Sequence, residues 1–96
     1  MDFYRFGPRA EADLREIGAF TLKHWGELQL ERLLSTLYEK LGRYAERPAL
    51  GRSRDELHPG LRSFLHEEFV VFYLAVDGGI DVVRVLHGRR DFDSVF

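Results

Sequence analysis

Cysteine is absent. That excludes a disulfide framework and any thiolate metal site, and makes a reducing cytoplasm the expected compartment. Long apolar runs are missing as well. The longest, F-V-V-F-Y-L-A-V (69–76), is far too short to cross a bilayer, and no N-terminal stretch reads as a signal peptide. Neither sign of charge dominates: the net charge is −2, so the overall field does not announce a nucleic-acid binder. The chain has no phosphate loop, dinucleotide fingerprint or H-E-x-x-H. Its four histidines, at 24, 58, 66 and 87, lack metal-ligand spacing, and no serine sits in a nucleophile elbow. No metal, cofactor or membrane partner is therefore expected. Lysine stops at Lys40 and tyrosine at Tyr73, two absences that bear on chemistry below.

What remains is enough for one domain over residues 1–96. D-F-Y-R-F (2–6) reads as a short strand closed by Gly7-Pro8, and proline can occupy the first position of a helix. Ala10, Leu14, Ile17, Thr21 and Trp25 then recur at helical spacing up to Gly26. At that helix end Trp25 is expected to anchor the core. A second helix carries the stripe Leu30, Leu33, Leu34, Leu37, Leu41 and Tyr44 and must end before Pro48. The two helices, joined through one glycine, form an antiparallel hairpin. Residues 47–60, rich in Arg, Pro and Gly, read as loop.

Strands follow at 61–66, 68–76 and 80–87, with Asp77-Gly78-Gly79 as a tight turn. The expected architecture is α+β, in the order β-α-α-β-β-β, with the helical hairpin on one face of a small antiparallel sheet. The middle strand is apolar on both faces, so both must be covered. Either the tail R-R-D-F-D-S-V-F, through Phe92, Val95 and Phe96, or another protein has to lie over the second face.

The one constellation with chemical potential is Arg62, Arg84 and His87, with Arg89 and Arg90 just beyond. Arginines and a histidine on one sheet face could bind phosphates or support phosphodiester cleavage, with His87 or His66 as acid-base. The plainer alternative is that Arg84 shares a face with Val82 and Leu86, lays its stem over the sheet and pairs with a carboxylate.

The ordered segments L-G-R-S-R-D-E-L-H-P-G-L-R-S (50–63), F-V-V-F-Y (69–73) and R-V-L-H-G-R-R-D (84–91) resemble the ParE branch of the RelE/ParE superfamily. Y-R-F-G-P-R-A-E-A-D-L-R-E-I (4–17) fits the same family's opening. The resemblance spans nearly the whole chain and implies the toxin of a type II toxin-antitoxin system. It implies a cytoplasmic hetero-oligomer with a ParD-like antitoxin, usually of ribbon-helix-helix type, and DNA gyrase as the target. RelE-like relatives instead cleave mRNA on the ribosome, with a tyrosine or a histidine-tyrosine pair near the C-terminus.

Here the tail carries Phe92 and Phe96 where such a tyrosine would stand, and a phenyl ring transfers no proton. The expectation is inhibition by binding, through Arg84, His87, Arg89, Arg90, Phe92 and Phe96. Leu30, Leu33, Leu34, Leu37, Val71 and Tyr73 are expected to receive the antitoxin, and no sequence-specific nucleic-acid binding is expected. The alternative is a ribonuclease using Arg62, Arg84 and His87.

Overall fold

A computed structural model describes residues 3–96; Asp2, where the first strand was expected to begin, lies outside them. Strand β1 (Phe3–Phe6) leads through Gly7 into α1 (Pro8–Trp25), and α2 (Glu27–Glu46) returns alongside it. Gly26 makes the corner at φ 87°, a left-handed angle that side chains disfavour. A single 3₁₀ turn (Pro48–Leu50) and a two-residue strand β2 (Arg52–Ser53) follow, then β3 (Leu61–His66), β4 (Phe69–Val76) and β5 (Gly79–His87).

The α+β class and the element order hold, and the sheet is richer than an antiparallel one. Its strand order is β1-β5-β4-β3-β2, with β1 parallel to β5 and the other pairings antiparallel. Periodicity cannot reveal strand direction, and two residues inside a loop-like stretch carry no period. The β4–β5 turn is two residues, Asp77-Gly78, with Val76 opposite Gly79. Gly79 is needed for a different reason from turn geometry: a Cβ there would lie 1.8 Å from the Phe3 carbonyl oxygen.

Both faces of β4 are covered. On one, Val71 and Tyr73 join Ile80, Val82, Val85 and Phe64 beneath Leu37, Leu41 and Ala45 of α2. Tyr44 stacks on Phe64 with ring centroids 4.2 Å apart. On the other, Leu61, Val70, Phe72 and Leu86 form a second cluster, closed by Phe92 and Val95 of the tail and by Leu57. Phe92 meets Phe72 edge-on at 5.0 Å and Phe96 packs on it at 4.8 Å. Of the two expected covers for this face, the chain's own tail supplies it. A fully buried side chain of this size stabilises by roughly 1.5–3 kcal/mol, so the tail's work is chiefly to keep Phe72 dry.

One irregularity matters for the site. Phe72 pairs with Arg84 while Tyr73 pairs with Val82, which leaves Val83 as an extra residue in β5. Such a bulge resets the alternation of side chains. Val82 and Val85 therefore join the helix-side core, whereas Val83 and Leu86 join the tail-side cluster. The expectation that Arg84 shares one face with both Val82 and Leu86 is overturned by this added residue. No described helix is long and apolar enough to cross a membrane.

Candidate functional site

The expected arginine-histidine constellation is dispersed by the fold. Strand β1 stops opposite Val82, so beyond that point β5 has an open edge. Asp13 of α1 fills the gap: one carboxylate oxygen accepts from the Val85 N–H at 2.9 Å and from Arg84 Nε at 2.8 Å, while the other accepts from Arg84 Nη2 at 2.9 Å. The pair is largely buried, with the two side chains 14% and 10% exposed. The hydrogen bonds that Arg84 donates to the Asp13 carboxylate raise its pKa further above its already high ordinary value. Two of its three guanidinium nitrogens, Nε and Nη2, are committed to Asp13 of α1.

Arg62 is engaged elsewhere. Its Nη1 donates to the carbonyls of Gly51 at 2.7 Å and Ala49 at 3.3 Å. Beside it, the Tyr73 hydroxyl donates to the Pro48 carbonyl and accepts from the Gly51 N–H. Together they pin residues 48–51 to the sheet. Arg62 and Arg84 are separated by β4, about 10 Å from strand to strand, and His87 lies about 16 Å from Arg62 by strand spacing and rise. The three candidates for phosphodiester chemistry do not converge.

His87 is exposed at the end of β5. Its Nδ1 accepts from the Arg89 N–H at 3.1 Å, so the neutral ring carries its proton on Nε2. Arg89 and Arg90 are exposed in the turn that follows, and Arg90 N–H closes it onto the His87 carbonyl. Among the described residues the ion pairs are Arg84–Asp13 and Arg5–Asp81, and neither arginine of this turn joins them. Phe92 is half-buried and Phe96 is 37% exposed; both are partly spent on Phe72.

His66 is buried, with Nε2 donating to the Leu33 carbonyl at 3.1 Å and Nδ1 without a partner among the described residues. Burial is the main cause that lowers its pKa. It is sealed beneath α2 and has no route to a substrate.

Several residues expected to receive a partner are internal. Leu33, Leu37, Val71 and Tyr73 are between 0% and 6% exposed. They belong to the core because α2 turns its leucine stripe onto the sheet. Only Leu30 and Leu34 of that set remain half-buried at the surface.

The open surface lies where the sequence pointed least. Trp25, expected in the core, is 70% exposed, and Phe20 is 59% exposed. The stripe on α1 is helical as predicted, but the helix outruns the sheet that should cover it. Between its last turns, the start of α2, the β3–β4 turn and the end of β5 runs a groove of about 960 Å³. Ile17, Thr21, Leu33 and Phe69 floor it, Phe20 and Trp25 wall it, and Glu16, Glu67 and Glu68 stand on its rim with His24 and His87. Only the pairing of Trp25 with the corner glycine marked this place in the sequence.

Comparison with known proteins follows the same lines. Residues 4–92 match the family described as the ParE toxin of the type II toxin-antitoxin system parDE. The chain is 42% identical over 91 residues to a protein named Toxin ParE1 from Mycobacterium tuberculosis, covering 94% of this chain and 93% of the relative. It is 36% identical over 92 residues to Toxin ParE of Escherichia coli, covering 95% and 89%. A solved structure, the chromosomal ParDE TA system from P. aeruginosa, superposes with a TM-score of 0.73 over 91% of this chain and 96% of that one. At 19% identity it speaks for the fold.

Proposed function

Because the chain belongs to the ParE toxin family of type II toxin-antitoxin systems, we propose that it poisons DNA gyrase by binding and without catalysis. In the same reading a cognate ParD-like antitoxin, encoded beside it, neutralises it in a hetero-oligomeric complex in the cytoplasm. The observation that carries the non-catalytic part is the engagement of Arg62 and Arg84. One donates through Nη1 to backbone carbonyls and the other through Nε and Nη2 to Asp13, so both arginines are already committed to holding the fold. Tyr73, the tyrosine of the β3–β5 meander, is 0% exposed and hydrogen-bonded at both roles of its hydroxyl. What is left at the surface is a binding set: His87, Arg89 and Arg90, with the outer edges of Phe92 and Phe96.

The test sets purified toxin against gyrase in a supercoiling assay, with mRNA integrity followed in a translation extract. Loss of supercoiling with intact mRNA is expected. Normal supercoiling at toxin excess, together with mRNA cleavage, would reverse the reading.

One observation favours the second reading, a ribosome-dependent endoribonuclease. His87 presents a protonated Nε2 at the surface, with its other nitrogen fixed by Arg89, as an acid-base group needs. In that case His87→Gln abolishes toxicity while the melting curve is unchanged. Retained toxicity of the variant removes the ribonuclease.

A further inference from the structure

Arg62 and Arg84 are committed to acceptors inside the fold; Arg54 is not. Strand β2 lays Arg52 opposite Ser63 and Ser53 opposite Arg62, and the alternation of an extended chain sends Arg52 and Arg54 to the same side. That side is the tail-covered face of the sheet. Arg54 Nε donates to the Ser63 hydroxyl at 2.8 Å, and Ser63 is 2% exposed, so the anchor is fixed from inside. The guanidinium carbon lies 5.7 Å from the Phe72 ring centre and 5.5 Å from that of Phe92. The two Nη nitrogens make no hydrogen bond among the described residues, and neither is sealed from solvent. No described carboxylate comes within ion-pair distance of them. Glu56 attracts the group from farther off, and Arg52 repels it.

Covering two phenyl rings does not by itself call for this arrangement. An aliphatic side chain would shield Phe72 as well, without drawing a charge partly out of water beside a second arginine. The contacts that exist hold one edge and the flat face of the guanidinium, and leave the fork of Nη1 and Nη2 unspent. Such a fork donates in parallel to two oxygens of one oxyanion. Arg52 is exposed, about 7 Å away along the strand, and supplies a second cation at a fixed interval. A nucleic-acid backbone presents monoanionic phosphates at regular intervals whatever its sequence.

We infer that Arg52 and Arg54 form a seat for backbone phosphates of the DNA that gyrase holds. The inference rests on the reading of gyrase as the target, and adds that the toxin grips the enzyme's DNA, beside Phe92, and not the enzyme alone. Contacts to phosphate carry no sequence preference, in keeping with a chain that reads no base.

Labelled toxin is titrated over a range of salt against gyrase, against a random-sequence DNA duplex, and against gyrase loaded with that duplex. Loaded gyrase should bind most tightly. Arg54→Gln and Arg52→Gln should each weaken that binding about tenfold and lower the slope of log Kd against log salt by about 0.9. The loss should be confined to the probes that contain DNA. Arg54→Lys, which keeps the charge without the fork, should recover the slope and only part of the affinity. Arg32→Gln, an exposed change on α2, should behave as wild type. Melting curves accompany each variant, and if Arg54→Gln does not fold, the exposed Arg52→Gln carries the test.

Wild-type affinity and slope in both variants overturn the seat and leave Arg54 a lid on Phe72. An equal loss on gyrase without DNA overturns the phosphate and assigns the arginines to an acidic protein surface. Wild-type toxin that ignores both forms of gyrase, yet holds the duplex with an arginine-dependent slope, overturns the gyrase reading and keeps the phosphate seat. No binding to any probe overturns both.

Discussion

Asp13 shows how a single residue decides what its neighbours can do. It gives the Val85 N–H the acceptor that a strand would otherwise provide, and it immobilises Arg84 with two further bonds. Removing one member of a largely buried ion pair strands the other, at a cost of about 3–5 kcal/mol. Asp13→Ala should therefore lower the unfolding free energy, read from urea titrations, by that much. A loss under about 1 kcal/mol would mean the pair behaves like a surface contact. In the sequence Asp13 is one of several charged residues between the apolar positions of α1. Nothing there distinguishes it, because its role is set by where β1 stops.

His66 adds a pH dependence with a definite sign. Burial lowers its folded pKa below the ordinary 6.5, so under acid conditions the unfolded chain takes up a proton before the folded one does. Stability is then full above about 6.5 and falls as the pH drops from there toward the lowered folded value. The window lies above the range where Asp55 contributes. Hydrogen bonds from Gly60 and Ser53 hold that carboxyl below its usual 3.8. Between pH 6.5 and 4.5 the melting temperature should slope downward in the wild type and more weakly in His66→Gln. Equal slopes would clear His66 of the effect. The histidine was visible in the sequence as a possible acid-base, but not its burial, which depends on α2 crossing over the end of β3.

At the scale of elements, β1 and the tail both complete the sheet from outside the meander. β1 joins β5 at very close range, with Phe3 against Gly79. Gly79→Ala would drive a methyl into the Phe3 carbonyl, at 1.8 Å in the undisturbed geometry. The strand must then move away or lose its first pairing. The expected outcome is a destabilised protein in which β1 amides exchange early while those of β3 and β4 stay protected. Unchanged protection of β1 would show that the strands separate without cost.

Elements were the most legible level of the sequence: both helices, the meander and its glycine turn followed from periodicity and turn chemistry. The doubly apolar β4 correctly demanded a second layer. The bulge at Val83 was illegible, since no glycine marks it and only the pairing with β4 reveals the extra residue. One residue was enough to undo the face assignment of Arg84, and with it the idea of a shared arginine surface.

Over the whole molecule, polar character is sorted more sharply than a net charge of −2 suggests. Carboxylates gather at the groove beside the β3–β4 turn. On the other face of the sheet, Arg54 donates to Ser63 and lies over the rings of Phe72 and Phe92 at 5.7 and 5.5 Å. Its pKa is lowered by burial first and by Arg52 second. This sorting was hidden in the sequence because Glu16 and the Glu67–Glu68 pair are some fifty residues apart and meet only through the fold.

The parallel pairing of β1 with β5 has a consequence for time as well as for shape. Arg5 and Asp81, which face each other across it, are separated by 76 positions in the chain. The loop that closes between them contains both helices and three other strands. A contact of that span forms late, after the entropy of closing the loop has been overcome. Until then β5 lacks its neighbour and the sheet has a bare edge. The hairpins can assemble early, but the folded toxin exists only once its first described strand has found the last one.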